Sequence, residues 1–232
     1  MFDTFLQQLQ TFSNPEKKEF LPHFFKTGKG EYGEGDRFLG VVVPDIRKVA
    51  KQNLTLSLKE IEEVLQSEYH ECRLCALLIL VEKFKHTKSE QEKKEIFDFY
   101  LSHTKNINNW DLVDLSVKDI IGEFLLNKDR KILHQLAESQ NLWEQRMSVI
   151  ATFPFIKKND FDDTLALSEK LLHHPHDLIH KAAGWMLREV GKRDKQTLVR
   201  FLDKHRRTMP RTMLRYAIEK FPQEERIFYL KR

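Results

Sequence analysis

A pattern that recurs along the chain constrains the fold more than any other feature. In each copy a basic residue precedes an apolar helical run, and these basic residues stand at positions 73, 146, 181 and 211. The intervals are 73, 35 and 30 residues, and another amphipathic run, 110–121, lies within the first and longest of them. A period of about 30 to 40 residues with two helices per unit is typical of α-solenoids of the HEAT or armadillo kind.

We therefore predict an all-α protein in which HEAT-like repeats form a curved superhelix with a basic concave groove, as one domain over residues 1–232. Only 8 glycines and 7 prolines interrupt the chain, and 32% of its residues are charged, which favours long helices. The second helix of each repeat would line the groove with Trp110, Asp114, Arg146, Trp185 and Arg211. The alternative is a coincidental likeness among amphipathic helices.

Positive charge is concentrated in the last part of the chain. Residues 181–232 contain 15 Lys and Arg against 6 Asp and Glu, whereas the formal net charge of the whole protein is only +4. Such a face suggests a polyanionic partner, with nucleic acid the commonest in a cytoplasm, although a solvated basic surface is the alternative. The longest apolar run, 75–81, is too short for a bilayer, so we expect a soluble, cytoplasmic protein that does not contact membranes.

The segment 108–121 carries the candidate for chemistry. Trp110, Asp114, Val117 and Ile121 follow helical spacing, which would place a carboxylate within an aromatic and aliphatic stripe. A carboxylate in such a place is costly unless a cation meets it. That cation could be a core arginine, which would make Asp114 structural, or a cationic substrate, which the π face of Trp110 would also favour.

The other two tryptophans are predicted to differ in role. Trp143 has Leu142, Met147 and Ile150 around it at helical spacing and is expected in the core. Trp185 follows Ala182, Ala183 and Gly184, small residues that would let another surface approach closely, and it could face a ligand.

Several apparent motifs predict no chemistry. The match to G-x-G-x-x-G at 28–33 has no strand before it and no helix after it, so residues 27–36 are expected to form a flexible loop. Cys72 and Cys75 are expected to be core thiols. The histidines at 173, 174, 176 and 180 lie at a helix joint without the glutamate of a zinc motif, and no serine-nucleophile or P-loop pattern occurs. We expect neither a metal nor a cofactor.

Five segments together resemble the AlkD family of DNA alkylation-repair glycosylases. They are FLGVVVPDIR at 38–47, NWDLVD at 109–114, NLWEQR at 141–146, KAAGWMLRE at 181–189 and MPRTMLRYAIE at 209–219. The resemblance runs in order through nearly the whole chain. Two departures concern lesion preference: Val42 stands where members can carry a polar side chain, and the loop 27–36 looks long.

The resemblance implies a monofunctional DNA glycosylase that excises cationic alkylated purines such as 3-methyladenine and 7-methylguanine from duplex DNA without base flipping. Asp114 would be the catalytic carboxylate, and Trp110 and Trp185 the aromatic walls around the deoxyribose. Arg146, Arg188, Arg211 and Arg215 would bind DNA, and the protein would act as a monomer. The alternatives are a non-catalytic DNA-structure-binding protein on the same scaffold and a helical-repeat protein-interaction module.

Overall fold

The computed structural model describes residues 2–231, and their regular secondary structure is helical. Among these residues there is no β-strand, and the one β-type contact is an isolated bridge between Arg37 and Tyr69. The helices are α1 (Phe2–Gln10), α2 (Pro15–Phe24), α3 (Val43–Gln52), α4 (Leu58–Leu65), α5 (His70–His86), α6 (Glu90–Ser102), α7 (Trp110–Asp114), α8 (Glu123–Leu125), α9 (Lys131–Glu138), α10 (Leu142–Ile150), α11 (Phe153–Lys157), α12 (Asp162–Lys170), α13 (Asp177–Arg193), α14 (Lys195–His205), α15 (Arg211–Ala217) and α16 (Gln223–Leu230). The predicted all-α class is confirmed.

Local sequence signals account for several helix starts. Asn14 followed by Pro15 predicts a helix start, and in the structure Asn14 accepts a hydrogen bond from the Lys17 amide at 3.0 Å at the start of α2. Ser57 with Glu60 predicts a capping box, and the two residues form one at the start of α4. The apolar spacing of residues 1–12 predicts a first helix, which spans residues 2–10 in the structure; Met1 lies outside the described residues.

The chain divides into two compact units between Ile120 and Ile121. In the first, α5 is the central helix and packs against α1, α3, α4, α6 and α7. Its residues 70–81 are all buried because other helices surround it, and residues 74–81 are accordingly apolar on every side of the helix. Cys72 and Cys75 lie in this buried stretch as free thiols, which confirms their prediction as core residues.

In the second unit α13 has the central place and packs against α10, α11, α12, α14 and α15. A Cβ added to Gly184 would lie 2.6 Å from the Met213 carbonyl oxygen and 2.6 Å from the Tyr216 Cβ, so the glycine permits close packing with α15. The small residue Gly184, next to Trp185, is thus approached by α15, a helix of the same unit. Whether the two units make one domain over residues 1–232 stays a prediction.

The recurring arginines have a structural use that the sequence pattern did not reveal. Arg73 Nη1 donates to the Ser67 carbonyl oxygen at 2.9 Å, Arg146 Nη1 to that of Leu178 at 2.5 Å, and Arg211 Nη2 to that of Leu230 at 2.9 Å. Each guanidinium therefore donates to a main-chain oxygen of the protein itself.

The single regular helix expected for residues 110–121 is absent, and this part of the prediction is wrong. Helix α7 ends at Asp114, and a π-helical turn, Lys118–Gly122, follows. Between them, Ser116 Oγ bonds the Leu112 carbonyl oxygen at 2.5 Å and the Tyr100 hydroxyl at 2.8 Å, a back-bonding arrangement that bends helices. The four residues therefore do not share one helix face: Val117 and Ile121 are fully buried, whereas Trp110 and Asp114 are half-buried.

No helix within residues 2–231 has both the length and the hydrophobicity needed to cross a bilayer.

Candidate functional site

Trp110 is fixed at the first turn of α7 by a cap and by aromatic packing. Asn109 Oδ1 accepts a hydrogen bond from the Trp110 amide at 2.8 Å. The indole stacks on Phe25, with ring centroids 5.4 Å apart and planes inclined by 26°, and meets Phe24 edge-on at 5.9 Å. One side of the ring is thus packed against protein, and the half-buried side chain keeps the remainder accessible.

Asp114 closes α7 and carries a half-buried side chain. Lys118 Nζ donates to the Asp114 carbonyl oxygen at 2.5 Å, and lies 3.6 Å from the Asp119 carboxylate. Burial raises the pKa of the Tyr100 hydroxyl, and the charge of Asp114 raises it further, against the lowering effect of the Ser116 bond. The Asp114 side chain thus lies near the buried Tyr100 hydroxyl.

Trp110 and Asp114 line one cavity of about 420 Å³ in the first unit. Its wall is mainly apolar, and it includes Phe24, Phe25, Phe38, Val41, Val42, Leu74 and Leu115. Phe24 and Val42 are exposed, whereas Phe25, Phe38, Val41 and Leu74 are buried, so the cavity runs inward from the surface that carries Asp114. Two of the predicted site residues are brought together here. The cavity places a carboxylate and an aromatic face beside apolar walls, a combination suited to a cation.

A buried polar cluster lies directly behind this site, and sequence reasoning missed it. His70 Nε2 contacts Asp111 Oδ2 at 2.9 Å, and His70 Nδ1 contacts Asp36 Oδ2 at 3.0 Å. Arg73 Nη2 donates to Asp36 Oδ1 at 2.5 Å, and Asn109 Nδ2 donates to Asp36 Oδ2 at 3.3 Å. Below, these five side chains are called the buried cluster.

The sequence left both a structural and a catalytic role open for Asp114, and the buried cluster bears on that choice. A carboxylate paired with cations in the core was the structural alternative for Asp114, and the buried cluster assigns a role of that kind to Asp111, which is 6% exposed. The spacing of His70 and Arg73 at i, i+3 was the one available signal. Asp36, at the end of the glycine-rich loop, had none.

The second unit holds the other predicted site residues. Trp185 is half-buried on α13, and its ring centroid lies 6.3 Å from that of Phe153. Trp143 is 7% exposed, which confirms its prediction as a core residue.

The four predicted DNA-binding arginines differ in exposure. Arg146 is only 5% exposed, and Arg188 pairs with Glu189 and Glu219. Arg211 is half-buried and Arg215 is exposed. Their contact with DNA stays a prediction, and for Arg146 it would require the guanidinium to turn outward from the Leu178 carbonyl.

A basic cavity of about 790 Å³ adjoins the start of α15. Cationic side chains supplied by Arg206, Arg207, Arg211 and Lys231 line it, with Phe228 beside them. The Arg206 guanidinium lies 4.5 Å from the centre of the Phe228 ring. Four of the 15 basic residues counted in 181–232 are thus gathered around one opening, a lining suited to phosphate groups.

The histidines of the joint before α13 serve local structure. His176 Nδ1 accepts a hydrogen bond from the Leu178 amide at 3.1 Å, and His180 Nε2 lies 2.5 Å from the His174 carbonyl oxygen. Within residues 2–231 no three His, Cys, Asp or Glu side chains are grouped as metal ligands would be.

Comparisons with known proteins agree with this architecture. The sequence profile of the family described as "DNA alkylation repair enzyme" matches residues 5–221. A solved structure described as "Predicted DNA alkylation repair enzyme from Enterococcus faecalis" superposes with a TM-score of 0.72 at 19% identity, covering 91% of this chain and 97% of that one. No curated protein matches the chain. The match over residues 5–221 shows that the chain belongs to the DNA alkylation repair enzyme family.

Proposed function

We propose that the protein is a monofunctional DNA glycosylase that hydrolyses the N-glycosidic bond of cationic alkylated purines, 3-methyladenine and 7-methylguanine among them, in duplex DNA. The observation that carries the proposal is the shared cavity of Trp110 and Asp114 in a chain of the DNA alkylation repair family. Family membership supports repair of alkylated DNA, and the Trp110–Asp114 pair supports the glycosylase chemistry.

The chemistry follows from the charge of the lesion. An N-alkylated purine is already cationic, so it leaves as a neutral base and needs little general-acid assistance. As the glycosidic bond breaks, positive charge develops on the sugar, and the Asp114 carboxylate would stabilise it and orient the attacking water. Trp110 would present its π face to the same charge, and a second π face from Trp185 stays a prediction.

The shape and lining of the cavity support catalysis without base flipping. A flipped purine is normally held by hydrogen bonds to its Watson–Crick edge, together with stacking. The cavity beside Trp110 is lined mainly by carbon and offers few such partners. We therefore propose that the lesion stays stacked in the duplex, with its sugar facing Asp114.

A lysine nucleophile is not part of the proposal, so no strand cleavage is expected. Lys118 is the lysine bonded to the candidate site, and its ammonium group donates to the Asp114 carbonyl oxygen. That hydrogen bond directs the amine toward main chain instead of a sugar carbon. We propose further that the protein works in the cytoplasm as a monomer.

The second candidate is a DNA-structure-binding protein without catalysis. The basic cavity beside α15 favours it, because that cavity would bind phosphates whether or not Asp114 acts.

Release of 7-methylguanine from duplex DNA separates the two. We expect the purified protein to release the free base in single-turnover reactions and to leave an abasic site with an intact strand. The product strand is examined before and after alkali, which cuts abasic sites. Binding of the same duplex without base release would favour the non-catalytic candidate.

DNA affinity is expected to fall steeply with salt, because lysines and arginines displace counterions from phosphates. Replacing Arg215 or Arg211 with Ala should reduce the slope of log affinity against log salt by about 0.9 for each phosphate that the variant no longer neutralises. Arg146→Ala tests the buried arginine in the same way.

Lys94→Ala is the matched control for these variants. It also removes one positive charge, but from an exposed pair with Asp98 on α6. Its slope should equal that of the native protein. Equal slopes for Arg215→Ala, Arg211→Ala and Lys94→Ala would contradict a role of the basic surface in phosphate binding.

A further inference from the structure

The buried cluster is nearly closed to water and is neutral only in one protonation state. The side chains of Asp36, His70, Arg73 and Asp111 are between 2% and 8% exposed. Two carboxylates and one guanidinium leave a net charge of −1, so the cluster is neutral when His70 is an imidazolium. An uncompensated charge in such surroundings is costly, and a second proton on the imidazole removes it.

The hydrogen-bond geometry around His70 favours the same protonation state, the imidazolium. Both ring nitrogens of His70 face carboxylate oxygens, at 2.9 and 3.0 Å, and only the imidazolium can donate from both. Burial lowers the pKa of His70, but the charges and hydrogen bonds of Asp111 and Asp36 outweigh it and raise that pKa to about 9. The Asp36 pKa is lowered: burial opposes this, whereas His70, Arg73 and Asn109 favour the charged form.

The His70 ring also packs against the aromatic side chains that contact Trp110. The His70 ring lies 4.7 Å from Phe25 and 4.9 Å from Phe38, measured between ring centroids. Phe25 in turn stacks on Trp110 at 5.4 Å. Asp111 and Trp110 are consecutive on α7, so His70 holds the start of this helix both through a carboxylate and through the stacked rings.

Helix α7 needs such an anchor, because five residues are far too few to form a stable helix alone. It carries Asp111 and Asp114 at i and i+3, which places the two carboxylates on neighbouring positions of one face. Like charges at neighbouring positions of a helix repel each other. A fixed cation beside Asp111 offsets that repulsion in the short helix that carries Asp114.

We propose that His70 is a positioning residue for the Trp110–Asp114 site: paired with Asp36 and Asp111, its imidazolium fixes the start of α7 and neutralises the carboxylate next to the one that acts. The proposal rests on the glycosylase function for its activity readout, and its structural readouts are independent of that function.

The charged and titratable groups around the pair define what a pH experiment measures. His70 is surrounded by Asp36, Asp111 and Arg73, and Glu71 lies beside it in the chain with its carboxylate bonded to the amides of residues 39–41. Asp114 has Tyr100 from α6, and Lys118 and Asp119 follow it. None of these residues is substituted in a His70 variant, so a shifted pH–rate profile would report the loss of the imidazolium.

The first experiment compares His70→Gln with native protein in single-turnover release of 7-methylguanine. We expect the maximal rate to fall about 10-fold to 100-fold, because a misplaced catalytic group loses that much. The acid limb of the pH–rate profile should move to higher pH, since Asp114 then shares its helix with an uncompensated Asp111. An unchanged rate and profile would overturn the proposal.

The double variant His70→Gln/Asp111→Asn distinguishes charge from shape. It removes one cation and one anion, so the buried cluster is neutral again, and amide groups replace both partners. We expect it to recover part of the thermal stability that His70→Gln removes and to return the acid limb toward its native position. Destabilising effects that simply add would mean that His70 acts only by filling space.

His103→Gln is the matched control. His103 is a histidine of the first unit that also faces a carboxylate, although it is only partly buried; its Nε2 lies 3.1 Å from a Glu62 carboxylate oxygen. Its ring stacks on Phe99 of α6 instead of the layer beneath Trp110, so the pH–rate profile of this variant should be native. A shift equal to that of His70→Gln would also count against the proposal.

Native protein supplies a test that requires neither a variant nor activity. Because the folded-state pKa of His70 lies above its ordinary value of 6.5, the stabilisation is complete below about pH 6.5 and is lost as the pH rises through about 9. The melting temperature should fall over that window, and the indole NMR resonance of Trp110 should shift with it. If native protein released no base, the glycosylase proposal would fail, while this measurement would still decide the role of His70.

Discussion

Asp114→Asn is expected to lower the rate of 7-methylguanine release by about 100-fold or more while leaving thermal unfolding nearly unchanged. The amide keeps the shape of the carboxylate and much of its hydrogen bonding, but it removes the negative charge. In the proposed reaction that charge acts mainly in the transition state, so its loss should appear in the rate constant at saturating enzyme and not in DNA affinity. Single-turnover kinetics and a melting curve on the one variant measure both quantities.

Asp111→Asn provides a control three residues earlier on the same helix. Asp111 belongs to the buried cluster and contacts His70, so its neutralisation removes one partner of a buried charge pair. Such a change typically costs about 3 to 5 kcal/mol of folding free energy. Asp111→Asn should therefore melt at a clearly lower temperature, whereas Asp114→Asn should not.

The two variants together test which carboxylate is structural. A large loss of stability in Asp114→Asn would show that Asp114 itself holds the fold, as the alternative drawn from its sequence context required. A well-folded and fully active Asp114→Asn protein would contradict both the catalytic and the structural role. Only a stable, inactive variant fits the proposed glycosylase.

The sequence predicted those features of the fold that depend on residues close together in the chain. The caps at Asn14 and Ser57 were predictable because a cap is a hydrogen bond between residues three apart. The burial of Cys72 and Cys75 in α5 was also predictable, since residues 75–81 form an unbroken apolar run. The break after Asp114 was not, because it depends on the hydrogen bond between Ser116 and the Tyr100 hydroxyl, which belongs to another helix.

The candidate site shows the same limit more sharply. Trp110 and Asp114 could be selected because their spacing places them on one helix face. Asp36 could not be joined to His70 and Arg73, because they are more than 30 residues apart and the loop 27–36 that ends at Asp36 follows no period. The repeated arginines were predicted to face DNA, but no pattern in the sequence distinguishes an exposed guanidinium from one that bonds a carbonyl oxygen, as Arg146 does.

Lesion charge is expected to determine which bases are excised. A neutral damaged base such as hypoxanthine or uracil would leave as an anion unless it were protonated, and the candidate site offers a carboxylate where an acid would be needed. Asp114 and the Trp110 π face favour positive charge, and the wall of the cavity is mainly carbon. Neutral lesions should therefore be released at least about 100-fold more slowly than 7-methylguanine, the scale set by one preorganised charged group.

The measurement uses matched duplexes that differ only at the lesion, with single-turnover rates recorded for 7-methylguanine, hypoxanthine and uracil. Affinity for the three duplexes should be similar, because phosphate contacts do not depend on the base. The same comparison in Asp114→Asn should narrow the gap between the cationic lesion and the neutral ones, since the variant lacks the charge that discriminates them. Equal native rates for a neutral and a cationic lesion would rule out charge stabilisation by Asp114, and a gap that persisted unchanged in Asp114→Asn would show that Asp114 does not contribute to the discrimination.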